Sequence, residues 1–145
     1  MPEDNKTIAR RIINDIINGK RHEQIDTLVS PSYVYHGPGG MEVRGPEGFK
    51  QLINMYLTAF PDLRMTIDDL IAEGDKVVTR WTGRGTHRGD LAGIAPTGKT
   101  ATVTGIIISR FAGNKLVEDF ESFDEVAMLR QLGVSTLPAT AAAHA

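Results

Sequence analysis

The chain has 145 residues and a mass of 15.8 kDa, which suits one domain and is too short for two that each bury a core. Hydrophobic residues make up 41% and charged residues 23%, so wholesale disorder and fibrous repeats are excluded. A net charge of -2 gives no field that would attract nucleic acid or an anionic membrane, and the absence of cysteine excludes disulfides and thiol chemistry. The polar N-terminus lacks an apolar signal sequence, and we therefore expect a cytoplasmic protein.

The first predicted element is an amphipathic helix over 5–18. Ile8, Ile12 and Ile16 recur every four residues, as expected for one apolar helical face. We expect the helix to end at Gly19 in a left-handed conformation.

Two further helices are predicted, with short strands between them. One covers 25–29 and stops before Pro31. The other covers 45–60, with Pro46 in its first turn and Pro61 beyond its end.

From residue 63 the apolar period changes to two, which indicates strands that form antiparallel pairs, over 63–68, 77–82, 100–111 and 115–123. A last short helix is expected between Asp124 and Gly133. Helices gathered on one side of a curved antiparallel sheet make an α+β fold. We predict a single domain over 1–133 and a flexible tail over 134–145.

Gly93 to Thr100 matches the phosphate-binding pattern G-x4-G-K-T letter for letter. In that motif the loop opens a helix, whereas here Thr100 leads into a strand sequence. Pro96 also removes one amide that could bind phosphate. We interpret this segment as a connection between two strands.

None of the four histidines, His22, His36, His87 and His144, has a second ligand at helical spacing or in a local cluster. His36, His87 and Glu121 could still meet in space as two nitrogen ligands and one carboxylate. The sequence gives no sign of this, and we expect no metal.

The last strand carries two carboxylates on one face. Strand alternation places Val117, Asp119, Glu121 and Phe123 on the same side. If this face lines a cavity, burial and the charge of Asp119 would raise the pKa of Glu121 toward neutrality, as a general acid/base requires. The alternative is a solvated face with ordinary surface carboxylates.

Six segments in order over residues 5–133 resemble the SnoaL-like polyketide cyclases, or ester cyclases: Tyr33-Val-Tyr-His36-Gly-Pro38, Gly45-Pro-Glu-Gly48-Phe49, Ala59-Phe-Pro-Asp-Leu63, Ile71-Ala-Glu-Gly-Asp-Lys-Val-Val78, Arg80-Trp81-Thr-Gly-Arg-Gly-Thr-His87 and Gly93-Ile-Ala-Pro-Thr-Gly-Lys99. The resemblance implies a nuclear-transport-factor-2-like cone, in which a curved antiparallel sheet and three helices enclose a deep apolar cavity.

The resemblance also implies a reaction. Well-known members of the family close the last ring of aromatic polyketides by intramolecular aldol condensation without metal or cofactor. The carboxylate that exchanges the proton corresponds to Glu121, after Phe120. Two positions depart from the family pattern: Ile107 stands where His or Asp is frequent, and Asp119 where His is frequent.

The same mapping names further substrate-binding residues. Near the cavity mouth it places Tyr33, Tyr35 and His36. Trp81 and Phe123 would form the aromatic lining of the cavity, and His87 would lie at the end of a strand. Tyr56 and Phe60 would face the cavity from the third helix. The alternatives are plain core packing for the helical residues and a subunit interface for Trp81.

The predicted function is a cofactor-free cyclase with isomerase or lyase chemistry on a hydrophobic polyketide-like ester or ketone. One alternative is an epoxide hydrolase of the limonene-epoxide type, with Arg80 between Asp119 and Glu121. Another is a non-catalytic domain that binds a hydrophobic small molecule, which Ile107 favours. We expect a homodimer or higher homo-oligomer and no nucleic-acid or membrane partner.

Overall fold

The computed structural model of the chain describes residues 4–134. Its helices are α1 (Asn5–Arg11), which continues as a π-helical segment (Ile12–Asn18), α2 (Ile25–Leu28), α3 (Gly45–Ala59) and α4 (Glu125–Gln131), with short 3-10 turns at His22–Gln24 and Pro38–Gly40. The strands are β1 (Val29–His36), β2 (Glu42–Arg44), β3 (Arg64–Glu73), β4 (Lys76–Thr86), β5 (Thr100–Ala112) and β6 (Lys115–Phe123). The predicted order of elements is confirmed.

All six strands form one sheet in the order β2-β1-β6-β5-β4-β3. Neighbouring strands are antiparallel except β1 and β6, which pair in parallel. The predicted α+β fold is therefore confirmed, whereas the expectation of a purely antiparallel sheet is wrong. After β1, residues 37–63 lead the chain to the far edge of the sheet, where β3 lies. Strands β3 to β6 then follow one another back across the sheet, so β6 ends beside β1 and runs parallel to it.

The first helix begins as predicted but ends differently. The side chain of Asp4 accepts a hydrogen bond from the backbone N–H of Thr7 at 2.8 Å and caps the helix. Gly19 is not left-handed, with φ of -83°, and Lys20 takes that conformation instead, with φ of 57°. Glycine is needed for a different reason, since a Cβ at position 19 would lie 2.6 Å from the carbonyl oxygen of Asp15.

A bulge in β6 changes which side chains face the helices. Arg110 pairs with Glu118, but the next residue of β5 pairs with Leu116, so Val117 is an extra residue in the ladder. Leu116 is buried in the core and Val117 is only partly buried. The prediction that Val117 shares the inner face is thus wrong, because the bulge interrupts the two-residue alternation.

The core lies between the helices and one face of the sheet. Ile8, Ile12 and Ile16 pack in one cluster with residues of α3 and β1, which confirms the predicted apolar helical face. The P-loop-like segment joins β4 to β5, since Thr100 begins a strand and no helix follows.

No helix within residues 4–134 has the length and apolar character needed to cross a bilayer. Apart from Val134, the predicted flexible tail lies outside the described residues.

Candidate active site

A half-open cavity of about 150 Å³ lies between the inner face of the sheet and the helices. Its walls are apolar side chains of α1, the π-helical segment, α3 and the strands. Two carboxylates, Asp119 and Glu121, face it, and no lysine, arginine or histidine of residues 4–134 lines it. The cavity is therefore an apolar space whose only ionisable groups are two acids and three tyrosines.

Glu121 lies on the inner face of β6, directly opposite Ile107 of β5. Tyr35 Oη donates a hydrogen bond of 2.5 Å to Glu121 Oε1. Burial raises the pKa of Glu121 to about 7 and the charge of Asp119 adds to the rise, while the hydrogen bond from Tyr35 opposes it. The indole N–H of Trp81, which makes no hydrogen bond of normal geometry, opposes the rise more weakly. A carboxyl group with this pKa exists in both protonation states at neutral pH.

Asp119 is only 6% exposed, and protein donors occupy both of its oxygens. Tyr33 Oη donates to Oδ2 at 2.7 Å and Ser109 Oγ donates to Oδ1 at 2.6 Å. Burial raises the pKa of Asp119 to about 6, although both hydrogen bonds favour the ionised form. Asp119 is thus held in place, and the geometry favours Glu121 as the carboxylate that meets a ligand.

The parallel pairing of β1 with β6 produces both tyrosine–carboxylate contacts. Tyr33 and Tyr35 are two positions apart and therefore share the inner face of β1. Tyr35 pairs in register with Asp119, so each hydroxyl reaches a carboxylate 86 residues away in sequence. Both tyrosines are almost fully buried inside the core, not at the cavity mouth where we expected them.

Aromatic side chains line the cavity beside Phe123, the next inner-face residue of β6 after Glu121. The ring of Trp81 lies 5.8 Å from that of Phe123, which in turn lies 6.4 Å from the ring of Tyr56. Phe60 lines the cavity as well. Trp81 is 7% exposed and faces inward, so the alternative that places it at an outer subunit interface is wrong.

Ile107 lines the cavity next to Glu121, as the sequence predicted. It gives Glu121 no polar partner from β5. Tyr35 of β1 provides the hydrogen bond instead.

His36 and His87 do not line the cavity. His36 follows Tyr35 and therefore points to the opposite face of the sheet, where it stacks on Phe120 at 4.3 Å and contacts Glu118 at 2.9 Å. His87 is fully buried beside the cavity wall, and its Nδ1 accepts the backbone N–H of Thr97 at 3.2 Å. His87 holds the loop between β4 and β5.

Two chemical alternatives lose their geometric basis. His36 lies on the other face of the sheet from Glu121, so the two cannot ligate one metal. Arg80 is on the outer face, where it pairs with Asp69 at 2.8 Å, and it cannot complete an epoxide hydrolase site with Asp119 and Glu121.

The sequence missed three features of this site, namely Ser109 as a partner of Asp119, the hydroxyl of Thr79 on the cavity wall, and the role of Tyr33 and Tyr35 as donors. Two-residue alternation on β5 places Ser109 on the same face as Ile107 and could have identified it. The tyrosine–carboxylate pairs could not be identified in this way, because they depend on the order of the strands in the sheet.

Comparison with known proteins gives the same family that the six segments suggested. Residues 7–132 match the SnoaL-like polyketide cyclase family. No curated protein matches the chain.

Solved structures with the same fold include IdmH from Streptomyces antibioticus, a proposed polyketide cyclase. It is 30% identical with a TM-score of 0.78, over 90% of this chain and 100% of IdmH. A proposed polyketide cyclase from Acidithiobacillus ferrooxidans is 28% identical with a TM-score of 0.76, over 94% of this chain and 100% of the other. AclR from Streptomyces galilaeus, a proposed hydroxylase, is 27% identical with a TM-score of 0.77, over 92% and 88% of the two chains.

These similarities support a function of the cyclase or isomerase type. The family match covers most of the chain, and the fold agrees with it. The chain belongs to the SnoaL-like polyketide cyclase family.

Proposed function

We propose that this chain catalyses an intramolecular aldol-type ring closure of a hydrophobic, polyketide-like ester or ketone, with Glu121 as general acid/base. One observation carries the proposal: a partly exposed carboxyl group with a pKa of about 7 faces an apolar cavity. A proton carrier is most effective when its pKa lies near the working pH. The fold alone does not decide the reaction, since a proposed hydroxylase shares it.

The proposed reaction moves one proton out and back. Ionised Glu121 removes a proton from a carbon next to a carbonyl group, and the electron pair of the broken C–H bond forms an enolate. The enolate carbon attacks a ketone carbonyl of the same molecule, which forms the new C–C bond and leaves an alkoxide. The alkoxide takes the proton back from Glu121, so substrate and product have the same mass.

The surroundings of Glu121 suit both halves of this cycle. The hydrogen bond from Tyr35 fixes Oε1 and leaves Oε2 for the substrate proton. Burial and the Glu121 charge hold the pKa of Tyr35 far above its usual range, so its hydroxyl stays protonated and remains a donor. The reaction is redox-neutral and needs only orientation and proton transfer, which these groups can provide without a bound cofactor.

The cavity size indicates how the substrate would sit. A cavity of about 150 Å³ is comparable to one that holds a benzene ring. We expect the reacting end of the substrate to enter and the remaining rings to extend through the open side.

A non-catalytic binding domain is the second candidate, and Ile107 favours it because β5 provides no polar partner for Glu121. The two candidates differ in the effect of Glu121→Gln. A binder should keep its affinity for hydrophobic ligands, whereas an enzyme should lose turnover.

The test is chromatography with mass spectrometry on an anthraquinone-type polyketide methyl ester in the presence of a chelator. The matched control is Glu118→Gln, the same change on the same strand but on the outer face. We expect wild type and Glu118→Gln to give a product of unchanged mass and Glu121→Gln to give none. Equal conversion by both variants would remove Glu121 from the mechanism, and no conversion by wild type would favour the binding domain.

We also propose a homodimer through the outer face of the sheet. Ile71, Val78, Ile108, Phe120 and His36 are consecutive cross-strand neighbours over five strands. Ile71 is 62% and Phe120 51% exposed, and an apolar row of this length is typical of an interface. Light scattering should give a dimer for wild type and a monomer for Phe120→Lys; a monomeric wild type would refute the proposal.

A further inference from the structure

Two hydrogen-bond donors in the cavity wall have no acceptor within normal hydrogen-bond geometry. Within residues 4–134, Tyr56 Oη has no hydrogen-bond partner, although Tyr56 lines the cavity. Trp81 Nε1 is buried and makes no hydrogen bond of normal geometry. Every other ring-borne donor that faces the cavity, from Tyr33 and Tyr35, is bonded to a carboxylate.

An unmatched donor in an apolar wall is unfavourable. Most buried polar groups in folded proteins have a hydrogen-bond partner, and a group left without one lowers the stability of the fold. Trp81 Nε1 is such a buried donor in the cavity wall, and it is explained if a ligand brings the acceptor. The Tyr56 hydroxyl, on a side chain that is only partly buried, is available to the same ligand.

The two donors come from different walls of the cavity. Tyr56 comes from α3 and packs edge-on against Phe123, the next residue after Glu121 on the inner face of β6. Burial raises the pKa of Tyr56, and the charge of Glu121 adds to the rise. Trp81 comes from β4, and its indole N–H favours the ionised form of Glu121. The Trp81 ring packs against the same Phe123 side chain, so one donor from α3 and one from β4 lie beside the inner-face neighbour of Glu121.

We propose that the Tyr56 hydroxyl and the Trp81 indole N–H form an oxyanion site that binds the enolate and then the alkoxide oxygen of the substrate. The assignment rests on the proposed function, because Glu121 must take the proton that creates the enolate. As that proton moves to Glu121, the negative charge leaves the carboxylate and appears on the substrate oxygen. Donors that favoured the ionised carboxylate then favour the oxyanion.

Such donors increase the rate because they bind the charge that develops in the transition state. Removal of one donor typically lowers kcat by about 10²- to 10³-fold. Tyr56→Phe should therefore reduce kcat by this factor and change KM little. A merely structural role of the hydroxyl would leave kcat unchanged.

A binding experiment tests the site without turnover. In the Glu121→Gln variant, which imitates the protonated acid, 4-nitrophenol serves as the oxyanion probe and nitrobenzene as its uncharged counterpart. We expect the bound nitrophenol to be more ionised than the free compound, as seen in its absorbance. Adding Tyr56→Phe should weaken nitrophenolate binding at least about 10-fold and nitrobenzene binding less than about 2-fold.

The inference is overturned if bound nitrophenol is less ionised than free nitrophenol, or if Tyr56→Phe weakens both ligands equally. If Tyr56→Phe does not fold, as judged by circular dichroism, Trp81→Phe in the same background decides by the same criterion. Selective nitrophenolate binding without ring closure would retain the oxyanion site and refute the proposed reaction. Ring closure without selective binding would do the reverse.

Discussion

Replacing Glu121 with glutamine should stabilise the folded chain at high pH and leave its stability unchanged at low pH. The folded chain holds the Glu121 proton up to a pKa of about 7, whereas an unperturbed glutamate loses it near 4.5. Between these values the folded state binds one more proton than the unfolded state, so the wild-type free energy of unfolding falls as the pH rises. Glutamine carries no titrating proton and avoids this loss.

The magnitude follows from the two pKa values. Their separation corresponds to about 3 kcal/mol, which partial exposure of the side chain to the cavity reduces to about 2 kcal/mol. For a domain of this size, each kcal/mol changes the Tm by roughly 2–4 °C. We expect Glu121→Gln to raise the Tm by about 4–8 °C at pH 8.5 and by less than about 2 °C at pH 4.

The assay is thermal unfolding followed by circular dichroism at several pH values, with Glu118→Gln as control. Hydrogen bonding to His36 and the charge of Arg110 lower the pKa of Glu118, so its ionised form contributes stability above the ordinary glutamate pKa and loses it on acidification. Glu118→Gln should therefore not stabilise the chain at pH 8.5. An identical Tm difference between Glu121→Gln and wild type at pH 4 and 8.5 would refute the raised pKa of Glu121.

Three further changes have defined outcomes. Tyr35→Phe removes a donor to the ionised Glu121 carboxylate and should move the acidic limb of the pH–rate profile upward by about 1 pH unit or more; an unchanged limb would show that the hydrogen bond does not set this pKa. Gly105→Ala would place a Cβ 2.4 Å from a ring carbon of Trp81, the only tryptophan, and should lower stability by about 1–3 kcal/mol and shift the fluorescence maximum, whereas an unaltered spectrum would contradict the contact. Asn18→Ala removes two hydrogen bonds of 2.7 and 2.8 Å to the backbone of β3 and should cost about 1–3 kcal/mol in urea unfolding; no loss would mean that water replaces the amide.

Local patterns were sufficient for most of the fold. The two-residue alternation and the turn residues predicted β6 over 115–123, and Asp124 was correctly expected to begin the last helix. These features depend on neighbours within a few positions in the chain. Local patterns failed at the end of the first helix, where Lys20 and not Gly19 is left-handed and Gly19 instead lies close to the carbonyl oxygen of Asp15.

The site needed information that local patterns do not contain. Alternation placed Asp119 and Glu121 on one face, and the structure confirms this. Their tyrosine partners come from a strand 86 residues away, and only the parallel position of β1 beside β6 brings them together. His36 was assigned to the cavity from its motif, although two-residue alternation along β1 places it on the opposite face from Tyr33 and Tyr35.

The step proposed for Glu121 is the removal of a proton from a carbon acid in the apolar cavity. Proton NMR in D₂O measures this step as deuterium exchange at the α-carbon of a two-ring ketone such as 2-tetralone. We expect faster exchange with wild type and with Glu118→Gln than in buffer, and exchange at the buffer rate with Glu121→Gln. Equal acceleration by Glu121→Gln and wild type would contradict it.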